Sequence, residues 1–240
     1  SSLVLSHPPV RKPTQGLNNQ YTFTNFVVGQ ENNLAHSAAL DAVQKDNPEF
    51  NPLFIHSTVG LGKTHLLHAI GHASNVRGRL LRCITATEFT RDFVASLREG
   101  LVQSFEDSFA DLQLLLIDDI QFFAGKEQTA EQFFHIFNTL HTKGVQIVLT
   151  SDKPPREMLS LSDRFRSRLS GGLLVDLSPP SLETQVVILD RKSRQAGLPM
   201  GEATLLRIAS YNTTNIRELE GALNRVISYA RLFELVPTPE

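Results

Sequence analysis

A glycine-rich segment with one lysine, between an apolar run and a helical pattern, constrains the fold of this chain more than any other feature. Residues 57–64 (STVGLGKT) match the phosphate-binding pattern G-x-x-x-x-G-K-[ST] at every fixed position except the first. The apolar run at 52–56 predicts a buried strand, and the pattern over 65–72 predicts the helix that follows. Because strand, glycine-rich turn and helix in this order form a phosphate site, the sequence predicts a nucleotide-binding loop.

The fixed residues of this loop each have a chemical role. Gly60 and Gly62 let backbone N–H groups approach phosphate oxygens, and the helix N-terminus adds partial positive charge. Lys63 reaches the terminal phosphates, and the Thr64 hydroxyl is a ligand for Mg²⁺. Ser57 stands where the pattern has glycine, and its Cβ would be strained if the turn needed a positive φ there. The alternative is a purely structural Gly-Lys-Thr turn.

Two adjacent acids follow the third predicted strand. Residues 112–117 are nearly all apolar, as in a strand covered on both faces, and Asp118 and Asp119 come next. Buried carboxylates are costly without a cation, so Asp118 is expected to orient Mg²⁺ through water and Asp119 to polarise the attacking water. Asp152, after the fourth predicted strand, can bond that water or a γ-phosphate. Alternatively, the paired acids cap the next segment.

Arginines near the end of the predicted sheet are the candidate phosphate contacts from outside the loop. Arg164 and Arg168 belong to a basic helical segment from which an arginine can reach a neighbouring molecule's phosphate, although a solvated helix end is the alternative. Arg217 lies in the first turn of a predicted helix whose cap pattern is Asn215 and Glu218. A positive charge there opposes the helix dipole and gains most from a nearby anion, which makes Arg217 a candidate phosphate sensor.

Apolar runs alternate with helical patterns through the rest of the chain. The composition of 1–20 indicates a linker, and the break at 178–180 indicates a boundary before a wholly helical part. Thr87 and Thr129 are predicted to cap helices. The predicted strands are 52–56, 80–85, 112–117, 145–150 and 173–177, and the predicted C-terminal helices are 181–196, 201–211 and 215–233.

Aromatic and histidine side chains offer two further candidate sites. Phe23 and Phe26 could stack on a flat ligand such as adenine or could cover a domain edge, and the sequence leaves both open. His65, His68 and His72 share one helical surface, and His68 and His72 have the i, i+4 spacing typical of metal ligands. Because no acidic or cysteine ligand accompanies them, packing or solvent contact is the preferred interpretation.

Composition restricts the partners and the compartment. A net charge of −2 and a pI near 6.4 require any nucleic acid to be held by a local basic patch. The single cysteine, Cys83, excludes an intrachain disulfide and fits a reducing compartment. No apolar run approaches the roughly 20 residues that span a bilayer, and the first residues do not resemble a signal peptide. We therefore expect a cytoplasmic protein without a membrane span.

Four segments carry the motifs of one protein family: 60–69, 116–122, 163–168 and 215–224. Over residues 17–235 the chain resembles the AAA+ module of the DnaA family of bacterial replication initiators. The resemblance implies an α/β fold, with an αβα sandwich and a five-stranded parallel sheet over 21–178 and an all-α, three-helix lid over 179–240. It also implies a weak ATPase that holds ATP or ADP with Mg²⁺ between the two parts, assembles head to tail and opens origin DNA.

The same resemblance assigns roles by position. It places the arginine finger, which completes the next subunit's site, at Arg168, with Arg164 as the other candidate. The implied catalytic residues are Lys63, Asp118, Asp119, Asp152, Arg168 and Arg217, and the implied metal residues are Thr64 and Asp118. The implied nucleotide-binding residues are Phe23, Val27, Val28, Asn33, Val59, Gly60, Leu61, Gly62, Lys63, Thr64, His65 and Arg217.

Departures from the family pattern bear on DNA binding. Residues 85–112 fall where the family has an inserted helix pair that stacks subunits around single-stranded DNA, and Val94 and Lys126 match its pore-facing positions. Fewer phosphate-neutralising charges predict weaker single-strand binding. The residues that replace commonly basic ones are Glu106, Asp107 and Gln128. Ser57 and Thr58 replace a glycine pair, which could alter nucleotide affinity or hydrolysis.

Two other functions fit parts of the same pattern. One is an adaptor that binds nucleotide and docks on other replication proteins without opening DNA, which the acidic insert favours. The other is a helicase loader, which matches 215–224 less closely. A replicative helicase or regulatory proteins would be further partners of the initiator.

Overall fold

A computed structural model describes residues 16–44, 49–211 and 215–239. Within these ranges five strands form one parallel sheet in the order β2-β3-β4-β1-β5. Each predicted strand is present, with bounds that differ by at most two residues. The strands are β1 (Leu53–His56), β2 (Leu81–Thr85), β3 (Leu114–Asp118), β4 (Gln146–Ser151) and β5 (Leu173–Asp176). Residues 1–15 of the predicted linker lie outside the described residues.

Nine α-helices and two short 3₁₀ helices accompany the sheet in the same described ranges. The α-helices are α1 (Asn33–Gln44), α2 (Lys63–Val76), α3 (Ala86–Glu99), α4 (Val102–Asp107), α5 (Glu127–Thr142), α6 (Asp163–Ser170), α7 (Leu182–Gln195), α8 (Glu202–Tyr211) and α9 (Ile216–Phe233). The 3₁₀ helices are Ile120–Phe123 and Pro155–Glu157. None of the helices described is long and apolar enough to cross a membrane.

Two hydrophobic clusters cover the two faces of the sheet. Leu115 and Ile117 of β3 pack with residues of α3, α4, α5 and α6, whereas Leu114 and Leu116 pack with α1 and α2. Successive side chains of a strand point to opposite faces, so a strand covered on both sides is apolar throughout. This confirms the predicted αβα sandwich.

The three C-terminal helices pack around a hydrophobic cluster of their own. Leu189 of α7, Leu205 of α8, and Leu219 and Leu223 of α9 are among its most buried residues. This is the all-α part that the sequence predicts after the sheet. The domain boundary near residue 178 stays a prediction.

Two predicted helix caps are wrong. Thr85, rather than Thr87, caps α3, because its side chain accepts from the Glu88 N–H while Glu88 bonds back to the Thr85 N–H. The chain therefore passes from β2 into α3 without a loop. Lys126 precedes α5 without a side-chain cap, and Thr129 lies buried within the first turn of that helix.

Candidate nucleotide-binding site

The loop between β1 and α2 has the backbone that its sequence predicts. Gly60 and Gly62 adopt φ values of 83° and 101°, which glycine reaches at little cost. Among the described residues other than glycine, only Asp119 and Glu234 have positive φ. Ser57 therefore does not carry the backbone strain that its replacement of glycine could have introduced.

Lys63 is held by the loop that precedes it. The residue is 7% exposed, and its ammonium group donates to the Ser57 carbonyl at 2.8 Å, to Ser57 Oγ at 3.1 Å and to the Thr58 carbonyl at 3.0 Å. Burial is the main reason that the Lys63 pKa is lowered from its usual value, and nearby Asp119 and Asp118 oppose that shift. The Ser57 hydroxyl is a lysine contact that glycine could not provide.

The Asp118 carboxylate lies behind the loop and accepts two hydroxyl hydrogen bonds. Thr64 Oγ1 donates to Asp118 Oδ2 at 2.8 Å, and Thr150 donates to Asp118 Oδ1. Burial raises the Asp118 pKa, while the hydroxyl groups favour the charged form. A hydroxyl and a carboxylate oxygen in contact are the hard oxygen donors that Mg²⁺ prefers, so Thr64 and Asp118 fit the ion.

Sequence reasoning missed Thr150. Its Oγ1 also accepts from the Asp119 N–H at 2.9 Å, so one hydroxyl holds both adjacent acids. Thr150 lies one position beyond the paired residues Ile117 and Leu149 of β3 and β4. Strand pairing determines this contact, and no local pattern in β4 indicates it.

A cavity of about 330 Å³ lies beside the loop, at the carboxyl end of the sheet. This is the edge at which parallel α/β sheets bind ligands. The predicted residues that line it are Val27, Val59, Gly60, Gly62, Lys63, Thr64, His65, Asp119, Asp152 and Arg217. Phe26, one of the two candidate stacking aromatics, also lines it. The lining residues that were not assigned from the sequence are Tyr21, Asn25, Asn32, Gln121, Phe122, Ile188, Arg191, Lys192, Ile216 and Glu220.

Phe23 and Phe26 have different surroundings. Phe23 lies outside the cavity lining. It packs against the hydrophobic cluster that joins the sheet to α1 and α2, and its ring meets that of His36 edge-on at 5.6 Å. Phe26 lines the cavity, stacks on His36 at 5.9 Å and meets His65 edge-on at 5.3 Å. Of the two aromatics, Phe26 is therefore the one placed to contact a ligand, and Phe23 covers the core.

Of the other residues predicted to bind the base, Val27 lines the cavity, whereas Val28 and Asn33 do not. Asn33 is exposed, whereas its neighbour Asn32 is buried and lines the cavity. Asn32 accepts from the Gly29 N–H at 2.9 Å and donates to the Val27 carbonyl at 3.0 Å, so it shapes the turn that presents Val27. Val28 is half exposed, and it lies outside the lining.

Three more predicted site residues, Asp118, Leu61 and Arg168, lie outside the lining. Leu61 is 3% exposed and packs in the cluster beneath the loop, so only its backbone belongs to the phosphate loop. Arg168 and the alternative Arg164 are exposed on α6, and neither forms an ion pair within 16–44, 49–211 and 215–239. Both stay candidates for a contact with a neighbouring molecule.

The last helix is joined directly to the phosphate loop. The Ile216 N–H donates to the Gly60 carbonyl at 3.0 Å, and Asn215 caps α9 by accepting from the Glu218 N–H at 3.2 Å, as predicted. A Cβ added to Gly60 would lie 2.7 Å from Asn215 Cγ. The close packing of the start of α9 on the loop places Arg217 in the cavity lining.

A second C-terminal helix, α7, contacts the chain before α1. Arg191 of α7 donates to the Thr24 carbonyl at 2.7 Å, and the Lys192–Glu220 ion pair at 2.9 Å joins α7 to α9 in the cavity wall. The sequence offered no signal for these contacts, because they depend on how the helices pack.

The three histidines of α2 bind the segment before α1. His65 donates to the Thr22 carbonyl at 2.9 Å, His68 Nδ1 accepts from the Asn18 N–H at 2.9 Å, and His72 donates to the Asn18 carbonyl at 2.9 Å. Burial lowers the pKa of His65 and His68. These contacts confirm that the histidines pack against the chain.

The predicted insert consists of α3 and α4. Glu106 accepts from Gln132 at 2.7 Å, and Asp107 accepts from Gln103 at 3.0 Å. Val94 and Lys126 are partly exposed. Both acids therefore have a hydrogen-bond partner, and their effect on DNA binding stays a prediction.

Comparison with known proteins gives the family. Residues 17–176 match the family model described as the bacterial DnaA ATPase domain. The chain belongs to this family. The match includes the phosphate loop, Asp118, Asp119 and Arg168, and α7–α9 follow it.

Three DnaA relatives illustrate the similarity. The chromosomal replication initiator protein DnaA of Thermomicrobium roseum is 49% identical over 92% of this chain and 48% of its own length, so this chain spans about half of that relative. Domain III of DnaA from Thermotoga maritima is 37% identical, with a TM-score of 0.88 over 93% of this chain and 94% of that one. A DnaA bound to AMPPCP and single-stranded DNA is 36% identical, with a TM-score of 0.81 over 91% and 69% of the two chains.

Proposed function

We propose that this chain is the ATP-binding and assembly module of a cytoplasmic bacterial replication initiator, in which ATP binding is the switch and slow hydrolysis resets it. The 3.0 Å hydrogen bond between the Gly60 carbonyl and the Ile216 N–H carries the proposal. Because it joins the phosphate loop to the helix of Arg217, a nucleotide in the loop also contacts the lid. The C-terminal helices can then respond to the presence of the γ-phosphate.

Within one chain, the roles follow from the contacts of the site. Lys63 exchanges its contacts with the loop for phosphate oxygens when ATP binds, and Arg217 closes the lid on the same phosphates. Thr64 and Asp118 hold Mg²⁺, which neutralises phosphate charge when it is bound. Asp119 polarises the attacking water, and Asp152 is the first sensor of the γ-phosphate.

Assembly adds a residue from a second copy. Arg168 is exposed in the last turn of α6, so it is free to meet a neighbour's γ-phosphate in a head-to-tail contact. Such a contact makes assembly depend on ATP, because ADP lacks that phosphate. Arg164 lies one helical turn away and is the alternative finger.

Single-stranded DNA is the proposed substrate of the assembled chains. A relative of known structure binds it together with AMPPCP. In this chain Val94 and Lys126 are the proposed contacts, and Glu106 and Asp107 weaken the attraction to phosphates. We expect binding that is weaker and less dependent on salt than in relatives with a basic insert.

The first experiment measures equilibrium binding of a fluorescent ATP analogue. Lys63→Ala should weaken binding at least tenfold, in line with the loss of a charge-assisted contact of about 1.5–3 kcal/mol. Lys143→Ala is the matched control, because Lys143 is exposed at the end of α5 and its ammonium group donates only to the Ala110 carbonyl among the bonds described. Full ATP affinity in Lys63→Ala would show that the loop is not the nucleotide site.

A second candidate function is a nucleotide-binding adaptor that opens no DNA, and the acidic pair Glu106 and Asp107 favours it. The two functions differ in single-strand binding with ATP and with ADP over a salt series. The initiator requires tighter binding with ATP at each salt concentration. Equal binding with ATP and ADP would favour the adaptor.

A further inference from the structure

The side-chain amide of Gln121 joins two acids of the candidate site. Its Nε2 donates to Asp119 Oδ1 at 3.0 Å, and its Oε1 accepts from the Asp152 N–H at 3.3 Å. All three residues line the cavity beside the phosphate loop. One amide therefore connects the residue after β3 to the residue after β4.

The backbone at Asp119 creates this arrangement. Asp119 adopts φ 58° and ψ 52°, a left-handed conformation that costs a non-glycine residue about 1–2 kcal/mol. The Asp119 N–H donates to Thr150 Oγ1, and its carbonyl accepts from the Phe122 N–H at 3.1 Å. These hydrogen bonds stabilise a turn that brings the Gln121 side chain next to the Asp119 carboxylate. Strain that is held by surrounding contacts is common at functional sites.

The chemistry of the two contacts requires an amide. One partner of Gln121 is a carboxylate oxygen, which accepts, and the other is a backbone N–H, which donates. A reversed amide would place oxygen against the Asp119 carboxylate and NH₂ against the Asp152 N–H. Both hydrogen bonds thus determine the orientation of the side chain, and a glutamate could not replace it while ionised.

We infer that Gln121 is a positioning residue for Asp119 in ATP hydrolysis, and this inference rests on the proposed function. In the reaction the water oxygen bonds to the γ-phosphorus while the bond from that phosphorus to the β–γ bridging oxygen breaks. ADP leaves with that electron pair, and a proton of the water passes to Asp119. Gln121 donates to Asp119 Oδ1, and Asp119 Oδ2 has no hydrogen-bonding partner in the described part of the chain. Gln121 thereby orients Oδ2 as the oxygen that accepts the proton of the water.

The first test is Gln121→Met, which keeps the length of the side chain and removes both polar atoms. The kcat for ATP hydrolysis should fall about 10- to 100-fold, the range for a displaced reacting group, while the KM and the Kd for ATP stay unchanged. Gln113→Met is the matched control, because Gln113 is exposed before β3, at the opposite end of the strand that Gln121 follows. Its kcat should equal that of the wild type.

The second test uses Gln121→Glu. At pH 8 the introduced carboxylate repels Asp119, but once protonated the introduced carboxyl group again offers one donor and one acceptor. The kcat of Gln121→Glu relative to wild type should therefore rise as the pH is lowered from about 8 to about 6. The corresponding ratio for Gln121→Met should stay flat. A residue with only a structural role would not produce this difference.

The outcomes separate this inference from the proposed function. The positioning role alone is overturned if the wild-type chain hydrolyses ATP and Gln121→Met has the same kcat. It is also overturned if Gln121→Met loses kcat and ATP affinity to an equal extent. A wild-type chain that neither binds nor hydrolyses ATP overturns the proposed function and this inference with it.

Discussion

Ser57 Oγ accepts a hydrogen bond of 3.1 Å from the Lys63 ammonium group, at the one position where the phosphate loop departs from its pattern. The same hydroxyl donates to the Thr58 carbonyl at 2.9 Å. The replacement of glycine therefore adds an acceptor to the lysine that must reach phosphate. It affects the resting position of Lys63 and leaves the backbone of the loop unstrained.

We expect Ser57→Gly to tighten ATP binding about two- to fivefold, because one of three acceptors that compete with phosphate for Lys63 is lost at about 0.5–1 kcal/mol. Equilibrium titration with a fluorescent ATP analogue measures the change. Ser57→Ala removes the same hydroxyl without adding backbone freedom, so it should have the same effect. Unchanged affinity in both variants would make Ser57 a neutral replacement.

Gly60→Ala should weaken ATP binding at least tenfold. The added Cβ would lie 2.7 Å from Asn215 Cγ and would separate α9, with Arg217, from the loop. Gly78→Ala is the control, because Gly78 has a similar φ of 76° and nothing within 4 Å of an added Cβ. Both variants bear the left-handed strain, but only Gly60→Ala also clashes with Asn215 and changes the loop that lines the cavity. Equal ATP affinity of the two variants would contradict this role for Gly60.

Arg168→Ala should abolish ATP-dependent assembly while ATP binding by the single chain stays within about twofold of the wild type. The reason is that an exposed finger meets the γ-phosphate of a neighbour and makes no contact in its own cavity. Analytical ultracentrifugation with ATP and with ADP measures assembly. Arg164→Ala is the comparison, and loss of assembly only in that variant would transfer the finger to Arg164.

The free energy of unfolding should decrease as the pH falls below about 6.5, the ordinary histidine pKa. Burial lowers the pKa of His65 and His68 in the folded chain, so below that pH the unfolded chain binds protons that the folded chain does not. Protonation of His68 also removes the Nδ1 acceptor of the Asn18 N–H. Denaturant titrations at pH 7.5 and 5.5 measure the effect.

His68→Gln should reduce this loss of stability, because glutamine keeps an acceptor and does not titrate. His135→Gln is the control, since His135 is exposed on α5. If the His68 variant kept the full pH dependence of the wild type, the His68 contact with Asn18 would not be the cause of the loss of stability at low pH.

Local patterns in the sequence determined the fold and predicted the phosphate site. The alternation of apolar runs with helical patterns predicted all five strands, and the Gly-Lys-Thr segment with Asp118 and Asp119 predicted the acidic and phosphate-binding parts of the site. These features are local, because each motif lies within one turn or at one strand end. One cap prediction failed because β2 runs directly into α3 at Thr85, and the other failed because α5 begins two residues before Thr129.

Tertiary structure decided which residues complete the site. Thr150 reaches Asp118 only because β3 and β4 are paired, and Phe26 rather than Phe23 faces the cavity because of how the segment before α1 packs on α2. Gln121 joins Asp119 to Asp152 only through the left-handed turn after β3. Such contacts join residues from different elements, so their geometry depends on packing, which no short pattern of residues records.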